Sequence, residues 1–285
     1  TSTLLAHCET DTGSTCHTSG GFASTMHPML YTAVRAVREA GRVILMYLDQ
    51  LDRLEVSSKG RNDFVSQADI EAERAILEIL TKAYPDHGIL AEESGAQEGG
   101  DYTWVIDPLD GTTNFLHGFP VFGISVGVTR KNIIEHGVVY DPLRDEMFTA
   151  SRGDGAQLNG RRIRVSSTRH LEPALLGTGF PFRDLKVIEP WMRTFEALLP
   201  KTAGIRRTGA ASIDLAYVAS GRLDGFWEFG LKPWDIAAGA LLIREAGGLV
   251  ADFSGGQDFL ANGNVVAANT HLFEALRKTV AQRAF

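Results

Sequence analysis

Apolar residues recur every three or four positions from Met29 to Leu48, with charged residues between them. This spacing predicts an amphipathic helix that buries one stripe. The same period predicts a second helix from Asp69 to about Ala83, and its expected inward residues are Ile70, Ile76, Leu77 and Leu80. Residues 59–63 predict a loop between the two helices, because glycine, asparagine and charged residues cluster there.

After Gly88 the helical period gives way to short apolar runs, which are typical of strands. The predicted strands are residues 89–91, 104–106, 122–129, 133–140, 146–150, 175–177, 225–229, 249–252 and 265–268. Helical runs are predicted at residues 191–199, 212–220 and 235–246, and a last helix ends near Arg283. We therefore expect a single domain over 26–285, with an α+β half up to residue 165 and an α/β half from residue 166.

The composition is that of an ordinary soluble globular protein. Of the 285 residues, 44% are hydrophobic and 22% charged, so disorder over most of the chain is excluded. No apolar run approaches the ~20 residues of a membrane-spanning helix, so we expect no membrane partner. The net charge of −7 argues against duplex DNA as the leading ligand, although cations can still mediate phosphate binding.

Residues 1–25 differ from the rest of the chain. They are rich in Thr, Ser and Gly and show no apolar period, so we expect an added or disordered extension. The two cysteines, Cys8 and Cys16, both lie there, which excludes a disulfide scaffold and suits a reducing compartment such as the cytoplasm. With His7 and His17 they form a minor candidate for a zinc clip, but their spacing fits no standard finger.

Carboxylates follow the predicted strands directly. Glu92 comes after residues 89–91 and Asp107 after residues 104–106, and Asp110 lies three positions beyond Asp107. The intervening proline restricts the backbone, so a stiff turn can aim both aspartates at one point. Oxygen ligands at this density suit Mg²⁺ or Mn²⁺.

Each of these segments also has a purely structural interpretation. The residue types at 107–111 are those that surface turns favour, and residues 92–95 are typical of a solvated loop. Asp235 follows Pro233 at a predicted helix start, where an N-cap is the simplest explanation. Only the combination of these segments favours a functional site.

Residues 91–94 (AEES), 104–115 (WVIDPLDGTTNF) and 234–239 (WDIAAG) together resemble the inositol monophosphatase family. Residues 26–29 (MHPM) and 206–217 (RRTGAASIDLAY) are similar to its bacterial extragenic-suppressor branch. The resemblance covers essentially 26–285. It implies an α+β fold, the layered αβαβα sandwich of sugar phosphatases, in a homodimer.

The resemblance also implies a site with two to three Mg²⁺ ions. It assigns Glu92, Asp107 and the Leu109 carbonyl to a first ion, and Asp107, Asp110 and Asp235 to a second. A third, weaker ion is expected to depend on Glu92 and water molecules.

The implied catalytic residues are Asp69 and Thr112, which orient and activate the attacking water, together with Glu92. Backbone N–H groups of Gly111 and Thr112 are expected to bind the phosphate. The implied substrate-binding set is Glu92, Leu109, Asp110, Gly111, Thr112, Arg206, Gly209, Ala211, Glu228 and Asp235. One departure is that residues 209–212 read GAAS where mammalian relatives have GTAA, a change expected to leave the metal site untouched.

The implied activity is lithium-sensitive, Mg²⁺-dependent hydrolysis of inositol monophosphates and related small polyol phosphate monoesters. Such esters are dianions that repel anionic nucleophiles, so direct attack by water beside neutralising cations is physically reasonable. Fructose 1,6-bisphosphate and 3′-phosphoadenosine phosphates stay open as substrates, because enzymes for them share the metal core. The alternative function implied by the bacterial branch is ribosomal RNA transcription antitermination, with Nus factors and RNA polymerase as partners and catalysis secondary.

Overall fold

The structure is a computed structural model that describes residues 26–51, 56–60, 63–181 and 184–284. The predicted extension at residues 1–25 and its candidate zinc clip lie outside the described residues. None of the described helices is both long and apolar enough to cross a membrane.

The described helices are α1 (Pro28–Leu48), α2 (Gln67–Ala83), α3 (Thr112–Leu116), α4 (Ile188–Leu198), α5 (Ala211–Ala219), α6 (Pro233–Glu245), α7 (Phe259–Asn262) and α8 (Phe273–Ala284). Strands of the first half are β1 (Val56–Gly60), β2 (Asp63–Ser66), β3 (Gly88–Ala91), β4 (Gly95–Gln97), β5 (Tyr102–Asp110), β6 (Gly123–Arg130), β7 (Ile133–Asp141), β8 (Glu146–Ser151), β9 (Gly155–Leu158) and β10 (Arg161–Arg162). Those of the second half are β11 (Leu175–Thr178), β12 (Gly204–Arg206), β13 (Gly225–Glu228), β14 (Leu249–Ala251) and β15 (Val265–Ala268).

Two large sheets and three helical layers alternate. An eight-stranded sheet has the order β10-β9-β8-β7-β6-β5-β3-β4, and a five-stranded sheet has the order β12-β11-β13-β15-β14. Helices α1 and α2 cover the outer face of the larger sheet, α5 and α6 lie between the sheets, and α4 and α8 cover the smaller sheet. The expected layered αβαβα sandwich is confirmed.

Helix α6 occupies the middle layer, and its sequence explains why it can lie there. Residues from Asp235 to Ile243 are all buried, since the helix contacts a sheet on either side. It approaches the larger sheet closely because β7 carries a glycine: a Cβ built on Gly137 would lie 2.9 Å from the Ala238 Cα. The N-terminal end of α6 is thereby fixed beside β5 and β6.

Most predicted elements are present, and the exceptions have identifiable causes. The segment expected to be a loop contributes Lys59, Gly60 and Asp63 to a separate β1–β2 hairpin, because Val56 pairs with Ser66 across it. Ile70, expected inward, is 52% exposed because it lies on the outer side of α2. The boundary between the halves at residue 165 stays a prediction.

Candidate active site

Three aspartates from two distant parts of the chain meet at one point. One oxygen each of Asp107, Asp110 and Asp235 lies within 4.8 Å of the others. The strand over residues 104–106 was expected to end before Asp107, but β5 continues through both of its aspartates. Its register against β6 shifts between them. The Leu109 N–H donates to Asp107 Oδ1 at 3.0 Å, so the irregular segment is held as a tight turn.

Asp235 reaches the cluster from the first turn of α6. The helix begins at Pro233, so Asp235 is its third residue and not the expected N-cap. Its Oδ2 accepts the N–H of Lys232 at 2.7 Å. This reach back to the start of the helix fixes the carboxylate and stabilises the helix N-terminus.

Glu92 lies at the end of β3, next to the aspartate-bearing strand. Its N–H donates to the Ile106 carbonyl at 3.1 Å. The following turn is held by Glu73 of α2, whose carboxylate accepts the N–H groups of Glu93 at 2.9 Å and Ser94 at 2.8 Å. Helix α2 thus secures the loop that carries Glu92.

The carboxylates raise one another's pKa values. Burial raises the pKa of Asp107 well above its ordinary value, and the charges of Glu92, Asp110 and Asp235 add to this shift. Burial likewise raises the pKa of Asp110 to about 6, although hydrogen bonds from Ser212 oppose the shift. A cation between these oxygens would relieve their repulsion, and an all-oxygen donor set suits Mg²⁺ or Mn²⁺. The residues present therefore fit a hard divalent ion.

A second carboxylate system lies beside this cluster, at the start of α2. Asp69 is fully buried, and its Oδ2 accepts the N–H of Ser66 at 2.8 Å and the Ser66 hydroxyl at 2.5 Å. Its Oδ1 accepts the Thr112 hydroxyl at 2.9 Å, and that hydroxyl also lies 3.1 Å from the Leu109 carbonyl. The expected Asp69–Thr112 pairing is therefore present as a direct hydrogen bond. Burial raises the pKa of Asp69.

Helix α3 and the loop before α5 form the next wall of the site. Gly111 has φ +93°, and a Cβ there would lie 3.1 Å from the Val121 carbonyl, so glycine allows this close approach. Asn114 donates to the carbonyls of Val121 at 2.7 Å and Thr208 at 2.9 Å. It thereby ties the two loops together around Gly111.

A cavity of about 350 Å³ opens above the carboxylates. Its lining includes the predicted residues Glu92, Asp107, Leu109, Asp110, Gly111, Thr112, Gly209, Ala211, Glu228 and Asp235. Burial raises the pKa of Glu228 well above its ordinary value, and neighbouring acidic groups, with Asp214 foremost, add to this shift.

The structure places Arg207, and not the predicted Arg206, along the cavity. The guanidinium of Arg207 lies 5.2 Å from the centre of the Phe180 ring. Arg206 ends β12, where it is exposed and donates to the Ile205 carbonyl at 3.2 Å. Arg207 is the first residue after β12, so the continuation of the chain beyond the strand brings it to the cavity.

A model of the inositol monophosphatase family matches residues 25–284 of the chain. The chain belongs to this family. It is therefore a member of a family of phosphatases that is generally metal-dependent.

Among its relatives, the Nus factor SuhB of Pseudomonas aeruginosa is 56% identical over 261 residues, which cover 90% of this chain and 96% of the relative. The Nus factor SuhB of Escherichia coli strain K12 is 51% identical over 253 residues, or 88% and 95% of the two chains. The expected place in the bacterial extragenic-suppressor branch is confirmed.

Two solved structures show the same fold. The extragenic suppressor protein suhB of Bartonella henselae has a TM-score of 0.87 at 44% identity, covering 89% of this chain and 98% of that one. An inositol monophosphatase of Thermotoga maritima has a TM-score of 0.82 at 36% identity, with 90% and 98% covered.

Sequence reasoning missed several residues of this family member's site. Ser66 had a local signal, since a serine three residues before an acid marks a capping box. No local sequence signal marks Asp214. In the structure it is 1% exposed, and its Oδ1 has no hydrogen-bond partner among the described residues. Ser212 was expected to leave the metal site untouched, which is wrong, because both its N–H and its hydroxyl donate to Asp110.

Proposed function

We propose that this phosphatase uses Mg²⁺ to hydrolyse inositol monophosphates and related small polyol phosphate monoesters. The observation that carries the proposal is the close approach of Asp107, Asp110 and Asp235. The hydrogen-bonded Asp69–Thr112 pair lies beside them. A buried carboxylate cluster next to a proton-accepting pair is what attack by water on a phosphate dianion requires.

The proposed ligands of a first ion are Glu92, Asp107 and the Leu109 carbonyl, and those of a second are Asp107, Asp110 and Asp235. A third, weaker ion would depend on Glu92 and water. When bound, such ions neutralise the phosphate charge, lower the pKa of a bound water and stabilise the leaving alkoxide. Burial raises the pKa values of Asp107 and Asp110 and the neighbouring carboxylates add to the shift, so a cation would stabilise their charged forms, which supports this assignment.

The proton of the attacking water is proposed to leave through Thr112. Its hydroxyl donates to Asp69 Oδ1, so the oxygen keeps lone pairs that face away from the carboxylate. As Thr112 accepts a proton from water, it can pass its own to Asp69. The raised pKa of Asp69 makes that carboxylate a better base than an exposed aspartate.

Substrate orientation is assigned to residues that line the cavity. Backbone N–H groups of Gly111 and Thr112 are proposed to bind the phosphate, whereas Glu228 and the turn at Gly209 and Ala211 are proposed to bind the polyol. Their place in the cavity lining supports these roles. For Arg206, exposed on β12, the proposed role is only a supporting one, and the active protein is proposed to be a homodimer.

A phosphate-release assay tests the proposal. The purified protein is given inositol 1-phosphate, glycerol phosphates, fructose 1,6-bisphosphate and a 3′-phosphoadenosine phosphate, each with Mg²⁺ or with EDTA. We expect Mg²⁺-dependent release that is fastest with inositol monophosphate. The control is Asp107→Asn, which keeps the side-chain size but removes a charge from the cluster. Turnover in EDTA, or near-normal turnover by the variant, would overturn the metal assignment.

A second function is favoured by the relatives. Proteins 56% and 51% identical to this chain are named Nus factors. We therefore also propose that the protein acts in ribosomal RNA transcription antitermination, as a partner of Nus factors and RNA polymerase. Binding of the purified protein to purified Nus factors tests this directly.

Asp235→Asn separates the two functions. Asparagine keeps the size of the side chain and can still accept the N–H of Lys232, so α6 is expected to persist. A strain carrying the variant should behave like a deletion if catalysis is the main cellular role. The strain should make ribosomal RNA normally if the partnership with Nus factors and RNA polymerase is the main cellular role. A variant fully active in vitro would refute the placement of Asp235 at the metal.

A further inference from the structure

Ser212 holds one particular oxygen of Asp110. Its backbone N–H and its hydroxyl both donate to Oδ2, each at 2.6 Å. The serine is fully buried, as the second residue of α5, so water does not compete for these bonds.

Two donors occupy the hydrogen-bonding capacity of that oxygen. A carboxylate oxygen has about two lone-pair sites, and Ser212 takes both on Oδ2. Ser212 makes no hydrogen bond to the other oxygen, Oδ1, and one oxygen of Asp110 lies within 4.8 Å of an oxygen of Asp107 and of Asp235. Asp110 can therefore offer a cation one oxygen but not two.

We propose that Ser212 determines cation specificity, by restricting Asp110 to coordination through Oδ1 alone. Mg²⁺ requires a small, near-ideal octahedral site, whereas Ca²⁺ takes six to eight oxygen ligands and readily uses both oxygens of a carboxylate. A serine that blocks Oδ2 thus disfavours Ca²⁺ more than Mg²⁺. This inference rests on the metal site proposed above and concerns the serine as a positioning residue.

A purely structural role for the serine makes a different prediction. The residue before α5 is Ala210, whose side chain cannot accept a hydrogen bond, so Asp110 serves as the acceptor for this helix N-terminus. The N–H of residue 212 supplies that contact whatever the side chain is. Losing the hydroxyl alone would then change stability and leave the preference among cations unchanged.

The test measures binding of Mg²⁺ and of Ca²⁺ to the metal-free full chain by titration calorimetry at pH 7.5. Ser212→Ala removes the hydroxyl and keeps the backbone donor. We expect the ratio of Ca²⁺ to Mg²⁺ affinity to rise about tenfold, the order expected for one hydrogen bond to a charged group. The matched control is Ser220→Ala at the other end of α5, where the hydroxyl contacts only backbone carbonyls. Its ratio should equal that of the wild type.

A wild-type ratio in Ser212→Ala would overturn the inference. Ser212→Cys provides a second variant of similar size with a weak donor, and its ratio should also rise. A cysteine variant with the wild-type ratio counts against the inference even if the alanine variant does not fold. Failure of the proposed metal site gives a different result from failure of the role of Ser212. If the metal site is wrong, the wild type binds neither ion, or Asp110→Asn binds both ions as the wild type does.

Discussion

Replacing Asp110 by asparagine should stabilise the metal-free protein at neutral pH while abolishing its activity. The carbonyl oxygen of asparagine can keep both hydrogen bonds from Ser212, so the start of α5 is preserved. The change removes one negative charge from a cluster in which Glu92 and Asp107 already repel it. Burial, the largest cause of the raised pKa of Asp110, also disfavours the charge and outweighs the hydrogen bonds from Ser212, so removing the charge favours folding.

The size of the effect follows from the pKa of Asp110, which is raised from 3.8 to about 6 in the folded protein. A shift of this size corresponds to roughly 3 kcal/mol. Because the folded pKa is the higher one, the stabilising contribution of the protonated carboxyl is complete below pH 3.8 and is lost as the pH rises through about 6. The variant does not titrate there, so its advantage over the wild type should be near zero at pH 4 and up to about 3 kcal/mol at pH 7.5.

The assay is equilibrium urea unfolding in EDTA at both pH values. Thermal unfolding gives a second readout, since for a protein of this size about 3 kcal/mol corresponds to a rise in melting temperature of roughly 6 °C. Adding Mg²⁺ should nearly cancel this difference at pH 7.5. The wild type gains about 2.7 kcal/mol at a metal concentration one hundred times the dissociation constant, and the variant gains much less.

An Asp110→Asn protein that is no more stable than the wild type in EDTA at pH 7.5 would refute this reasoning. It would show that burial and the neighbouring charges do not disfavour the charged form of Asp110. A variant that gains as much stability from Mg²⁺ as the wild type would instead show that Asp110 is not a ligand.

Three further predictions concern the same site. Thr112→Ala should lower kcat by roughly 10²–10⁴-fold by removing the hydroxyl on Asp69, whereas Thr112→Ser should keep most activity; steady-state kinetics check this. Gly179→Ala should raise KM for inositol monophosphate with unchanged Mg²⁺ binding, because the added Cβ would lie 1.8 Å from Glu228 Oε1; an unchanged KM would contradict it. Lithium at tens of millimolar should inhibit uncompetitively, since Li⁺ resembles Mg²⁺ in size with half its charge; a velocity that does not respond would contradict this assignment.

Local patterns carried much of the prediction. The helical period at the chain start identified α1 to within one residue, because burial of one helix face imposes a spacing that local sequence displays. The short apolar runs likewise located β3, β6 and β7 closely. The three-residue spacing of Asp107 and Asp110 is also a local feature. From it we expected both carboxylates to point to one place.

Other features depended on how distant segments pack. Asp235 lies 125 positions beyond Asp110, and it reaches the cluster only because α6 packs between two sheets. That Arg207 and not Arg206 lines the cavity depended on how the chain continues after β12, which two adjacent arginines in the sequence do not reveal.

Ser212, which donates to Asp110, also shows what the sequence reveals and what only packing decides. In the sequence it is a small polar residue at the start of a helix, and its type is compatible with a solvent-exposed turn. The tertiary structure buries it against a carboxylate 102 positions earlier in the chain. Sequence determined which elements form, because backbone hydrogen bonds and one-sided burial act over a few residues. Packing decided which side chains meet, because those contacts depend on the relative placement of whole helices and sheets.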